Sequence, residues 1–131
     1  MPKNDFESLT IRALNLLSYR PQSVAEMKIK LKRSGADQII INQVIDDLIK
    51  RGVLDDLKFA AWWVEQRVKF RPRGNYALTQ ELAQKGIARD IIDSVLLSFA
   101  AELELAKKLP ESKRSSRGFS FSVIDALNAK E

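Results

Sequence analysis

The 131-residue chain carries 22 lysines and arginines against 17 aspartates and glutamates, a formal net charge of +5, and is 45% hydrophobic. That is enough apolar material to bury a core without covalent staples. With neither cysteine nor histidine, disulfides, thiolate nucleophiles, imidazole bases and nearly every zinc site are excluded, and an isoelectric point near 9.6 favours a polyanionic partner.

The apolar pattern is helical throughout and no segment reads as a strand. A first helix is predicted from Phe6 to Ser18, with Leu9, Ala13, Leu16 and Leu17 on its inner side. Ser23-Val24-Ala25-Glu26 reads as a capping box opening a second helix, in which Val24, Met27 and Leu31 share a face and Gly35 closes the segment. The third runs from Ile40 to Arg51, with Asp37 as its cap and Gly52 where a helix end wants a left-handed residue. Further along, Asp55 or Asp56 caps a helix bearing Phe59, Ala60, Trp63, Val64 and Val68, broken by Pro72 and Gly74. Asn75 is expected to cap a short helix with Leu78 and Leu82, ended by Gly86. Ile91, Ile92, Val95 and Leu96 form the next, and a bend near Ser98 precedes Phe99, Leu103, Ala106 and Leu109.

The second half of this series repeats the first. Tyr19-Arg20-Pro21 returns 51 positions later as Phe70-Arg71-Pro72, and at the same offset Leu31 meets Leu82, Gly35 meets Gly86, Ile41 meets Ile92 and Val44 meets Val95. A gapless offset of that length implies a duplicated unit that hides its apolar face by stacking on its neighbour. The expected fold is therefore all-α, an elongated array of tandem three-helix repeats: residues 1–53, residues 54–97, and a truncated third repeat over 98–131. In that last unit Gly118 follows Gly86 by only 32 positions, nineteen short of the repeat, and the polar, serine-rich stretch from Pro110 to Arg117 reads as a loop before a capping remnant with Ser120 as N-cap. Neither the opening Met1-Pro2-Lys3-Asn4-Asp5 nor any later stretch has the apolar length of a signal or membrane segment, so a cytoplasmic protein is expected.

Certain strings go further than periodicity. Leu54-Asp55-Asp56 with Phe59-Ala60, Glu81-Leu82 with Lys85-Gly86-Ile87, the residues Arg20 and Ser23, and Arg117-Gly118-Phe119-Ser120 resemble the RecX family of regulators of the RecA recombinase. The likeness runs from about Ala13 to Leu127, with gaps only after Leu109. It implies tandem three-helix repeats lying in the groove of the RecA–DNA filament, restraint of ATP hydrolysis, strand exchange and co-protease activity, and weak DNA binding; that binding is expected to be sequence-independent, and a monomer without a cofactor is expected. It also implies a modulator without catalytic residues. The short third repeat departs from the family pattern.

Candidate contacts to nucleic acid or filament are Arg20, Lys28, Lys32, Arg33, Trp62, Arg67, Lys69, Arg71, Arg73, Lys85 and Arg89. Rows of cations on such a scaffold suit a phosphate backbone, since each contact releases counterions. Trp62 shares its stripe with Glu65, Gln66 and Lys69 and is expected at the surface, to stack on a base, enter a partner's pocket or, equally, pack against the neighbouring unit, whereas Trp63 falls in the core stripe. Asp46, Asp47, Asp55 and Asp56 are read as a polar helix face and helix-opening carboxylates, not as a metal or catalytic cluster. The competing readings are a stand-alone helical DNA-binding protein and an enzyme acting on nucleic acid.

Overall fold

The computed structural model describes residues 5–70 and 74–114. Among these, six helices run in order: α1 (Phe6–Tyr19), α2 (Val24–Lys32), α3 (Gln38–Lys50), α4 (Asp56–Phe70), α5 (Asn75–Gln84) and α6 (Arg89–Lys107), followed by one helical turn, α7 (Glu111–Arg114). No strand occurs among the described residues, and no helix there is long and apolar enough to cross a membrane.

The helix ends follow from local chemistry. Asp5 Oδ1 accepts from the Ser8 amide at 2.8 Å, and Asp37 accepts from Ile39. At α2 the capping box is complete: Ser23 Oγ accepts from the Glu26 amide at 3.1 Å while Glu26 Oε1 accepts from the Ser23 amide at 3.1 Å. After α2, α3 and α5 the chain turns through Gly35, Gly52 and Gly86 with φ of 83°, 72° and 80°, a region costly for any residue with a Cβ.

The helices gather into two separate cores. In unit one Leu9, Ala13, Met27, Leu31, Ile41, Val44, Ile45, Leu48 and Leu54 pack together. In unit two Phe59, Ala60, Val64, Leu78, Leu82, Ile87, Ile92 and Val95 do so. The residues paired by the 51-position offset are buried alike, Leu31 with Leu82, Ile41 with Ile92 and Val44 with Val95. Each fully buried aliphatic or phenylalanine side chain contributes about 1.5–3 kcal/mol, so each unit has its own source of stability.

Four local expectations are corrected. Asn75 is the first helical residue of α5; the extended backbone that marks an N-cap falls on Gly74, which offers no side-chain bond. α6 passes Ser98 without a break, because the segment holds neither proline nor glycine and is rich in leucine, alanine and glutamate, strong helix formers. Part of the expected loop after Pro110 is the turn α7, with the Lys113 amide donating to the Pro110 carbonyl at 2.9 Å. Trp63 is only half-buried, as is Trp62. Phe59, Ala60 and Val64 occupy the interior positions of α4, leaving the Trp63 indole at the edge where its N–H reaches the Glu81 carboxylate at 2.9 Å. Of the expected third repeat, residues 98–114 are described and hold the end of α6 and the turn α7; the rest, with the Ser120 cap, lies outside the described residues.

Candidate nucleic-acid interface

The cations proposed from sequence separate into two populations. Lys28 and Lys32 stand one turn apart on the exposed face of α2, with Arg33 at its C-cap. Among the described residues none of the three has an ion-pair partner. Like charges at i and i+4 repel by a few tenths of a kcal/mol, offset in part by the favourable placing of cations at a helix C-terminus. Lys30, on the inner side of this row, donates to Gln22 Oε1 at 2.8 Å, and burial, with the nearby Arg20 charge, pulls its ammonium below the usual lysine value.

Arg20, Lys85 and Arg67 are instead consumed at the junction of the two units. Glu26 Oε2 receives Arg20 Nη2 at 2.8 Å and Lys85 Nζ at 3.1 Å. The same lysine ammonium lies 5.1 Å from the centroid of Trp63, and the Arg67 guanidinium lies 4.6 Å from that ring, each contact within cation–π range. Glu81 Oε1 then accepts from Arg67 Nε at 3.1 Å. A continuous chain of charges and one indole thus runs from Arg20 in unit one to Glu81 in unit two. Burial pushes the Glu26 carboxyl upward, but the bonds from Arg20, the Ser23 amide and Lys85 outweigh it and hold the group at about 2.

Backbone groups complete the junction. The buried Ser23 hydroxyl donates to the Lys85 carbonyl at 2.8 Å, and Asp56 Oδ1 accepts from the Val24 amide at 2.8 Å. Asp55, the other aspartate considered as a cap, accepts from the Leu57 and Lys58 amides at the start of α4. Gly86 sits so close to Ala25 that a Cβ on it would fall 2.4 Å from the Ala25 Cβ. Sequence reasoning found Ser23, Asp56, Lys85 and Gly86 as parts of strings and caps but missed that they meet. The signal present was the spacing Glu81 to Lys85, one helical turn, beside the capping box at Ser23.

The remaining candidates are dispersed. Arg89 pairs with Asp93 at 3.0 Å on an exposed turn of α6, an arrangement worth a few tenths of a kcal/mol. Trp62 packs against the unit-two core, its ring 5.9 Å from Phe59 and 6.3 Å from Trp63, so it is not a free stacking platform. Lys69 falls in the last turn of α4; its side chain, and Arg71 and Arg73, lie outside the described residues. Among the described residues no group of three or more acidic side chains is placed to hold a metal ion.

Two family models match the chain: RecX, first three-helix domain, over residues 11–48, and RecX, second three-helix domain, over residues 55–96. The chain is 33% identical over 114 residues to the regulatory protein RecX of Prosthecochloris aestuarii, covering 84% of this chain and 76% of that protein. It is 36% identical over 98 residues to the RecX of a Mycobacterium species, covering 73% of this chain and 54% of that protein, so it spans about half the length of that relative. A crystal structure of regulatory protein RecX is similar with a TM-score of 0.67 at 26% identity, covering 95% of this chain and 73% of that one. The crystal structure of RecX from Lactobacillus salivarius shares the fold at 22% identity with a TM-score of 0.68, covering 96% of each chain.

Proposed function

The chain belongs to the RecX family, and from that premise we propose that it binds the RecA filament on DNA as a monomer and restrains its ATP turnover, and with it strand exchange and co-protease activity. It works as a regulator and not as a catalyst. The observation that carries this reading is the split between the two sets of cations: Arg20, Lys85 and Arg67 are neutralised within the body of the protein, while Lys28, Lys32 and Arg33 stand exposed on α2, with no ion-pair partner among the described residues. A two-unit body with an exposed cationic edge suits a ligand whose charge repeats along an axis.

The direct test is RecA ATPase on single-stranded DNA, with the protein added to preformed filaments. Turnover is expected to fall with added protein, and the protein alone is expected to hydrolyse no ATP. Unchanged turnover at micromolar protein would overturn the assignment.

The charge assignment has its own test. Replacing Lys28, Lys32 and Arg33 together by alanine is expected to weaken binding to single-stranded DNA and to flatten the slope of log K against log salt by about 2 units, from three phosphate contacts at roughly 0.7 each. The same triple change at Lys69, Arg71 and Arg73 tests the second cluster. A slope unchanged in either variant returns that cluster to a solvated surface.

A further inference from the structure

Between the end of α1 and the start of α4 the two units leave a cavity of about 320 Å³, open to solvent beside the exposed Val53. Leu17, Val53 and Phe59 wall it, and three polar residues share it: Gln22, Asp55 and Lys58. Its volume is at the low end of ligand-binding sites, a size for side chains and not for a large cofactor.

Gln22 is the unusual member, only 4% exposed. Its Oε1 accepts from Lys30 at 2.8 Å, but its Nε2 donates to nothing among the described residues. A buried amide with an unused donor calls for an acceptor from outside. Asp55 is half used: Oδ1 accepts from the Leu57 and Lys58 amides at 2.9 and 3.2 Å, while among the described residues Oδ2 has no partner. Lys58 is exposed and has no ion-pair partner there either. Around one apolar hollow the junction thus holds a donor, an acceptor and a cation, all unspent.

That set selects a ligand class. A nucleic acid strand asks for several cations or an open ring face, whereas here one cation stands beside a carboxylate and the Phe59 ring is 1% exposed. A peptide backbone carries a carbonyl and an N–H about each side chain, the acceptor that Gln22 lacks and the donor that Asp55 lacks. We propose that this cavity holds an extended segment of a partner protein in which an apolar residue is followed by an acidic one. The apolar side chain fills the hollow, the backbone bonds to Gln22 Nε2 and Asp55 Oδ2, and the acidic side chain meets Lys58. This rests on the reading that the chain acts by holding another protein.

The test is a titration of the full chain followed by amide NMR, with acetyl-Leu-Glu-amide, acetyl-Leu-Lys-amide and acetyl-Ala-Glu-amide at millimolar concentration. Saturable shifts are expected at the Gln22 side-chain amide and at Val53, with Leu-Glu tighter than Leu-Lys by about threefold and tighter than Ala-Glu by about tenfold. Lys58→Glu is expected to reverse the preference between Leu-Glu and Leu-Lys. The site is exposed and in the first turn of α4, where an acid is favoured, so this variant folds, and a thermal melt verifies it. No saturable shift at Gln22, equal binding of the three peptides, or an unreversed preference in Lys58→Glu would overturn the proposal. Shifts at Gln22 given by oligothymidylate and not by the peptides would assign the cavity to nucleic acid and overturn it as well. Co-sedimentation with preformed RecA filaments is run beside it: a parent that fails to bind them fells the regulatory reading, while the peptides alone decide the cavity.

Discussion

Gly86→Ala is expected to destabilise the protein by about 2–4 kcal/mol, roughly 1–2 from forcing a side chain into the left-handed region and 1–3 from overlap. The same change at Gly35 or Gly52 is expected to cost only the first part. All three glycines have positive φ, but open space surrounds a Cβ at Gly35 and Gly52, whereas at Gly86 it would lie 2.4 Å from the Ala25 Cβ. That neighbour is a methyl fixed directly to the backbone of α2 and cannot swing aside, so the two units must separate. Urea denaturation of the three variants checks the ranking. Equal losses at all three would show that the units do not touch at this point in solution.

Glu26→Gln is the second expected large effect, a loss of about 1–3 kcal/mol, since the side chain keeps its shape but leaves Arg20 and Lys85 without their shared counter-charge. The figure is kept below that of a fully buried pair because both cations are about one-third exposed. The pH dependence follows from the direction of the shift. Glu26 is held at about 2 in the folded protein against 4.5 for the free group, so its contribution is fully present above about 4.5 and is lost as pH falls toward 2. Melting temperature followed over that window is expected to drop more steeply for the parent than for Glu26→Gln. Parallel curves would show that Glu26 is not the titrating group.

Much of this fold is legible in the sequence because it is written in short-range chemistry. Ser23 with Glu26 fixes the start of α2, Gly35, Gly52 and Gly86 fix helix ends, and the 51-position offset places Leu31, Ile41 and Val44 with their counterparts in the core. The candidate site is less legible, and Arg20, Arg67 and Lys85 show why. Periodicity tells which face of a helix a cation occupies but not what faces it, and here Lys85 meets Glu26 across the junction while Arg20 and Arg67 meet carboxylates of their own units. Trp63 was misplaced for a related reason: a stripe assigns a direction, but a large ring with an N–H to satisfy ends where its partner is. Lys28, Lys32 and Arg33 are exposed on α2, and among the described residues no carboxylate pairs with them.

The junction also bears on how the molecule comes apart. Every isolated helix leaves amides unmet at its start and carbonyls unmet at its end, and here two of those groups are met from the other repeat: Asp56 serves the first amide of α2, and Ser23 serves the Lys85 carbonyl that closes α5. Each repeat therefore finishes a helix that belongs to its twin. Losing either half exposes an unserved terminus in the half that remains, so melting of one raises the tendency of the other to fray. Two halves made as separate peptides, divided in the turn around Gly52 and Val53, would gain order on mixing. The polar seam, together with Leu54, which the second half places in the core of the first, is what makes the pair cooperate.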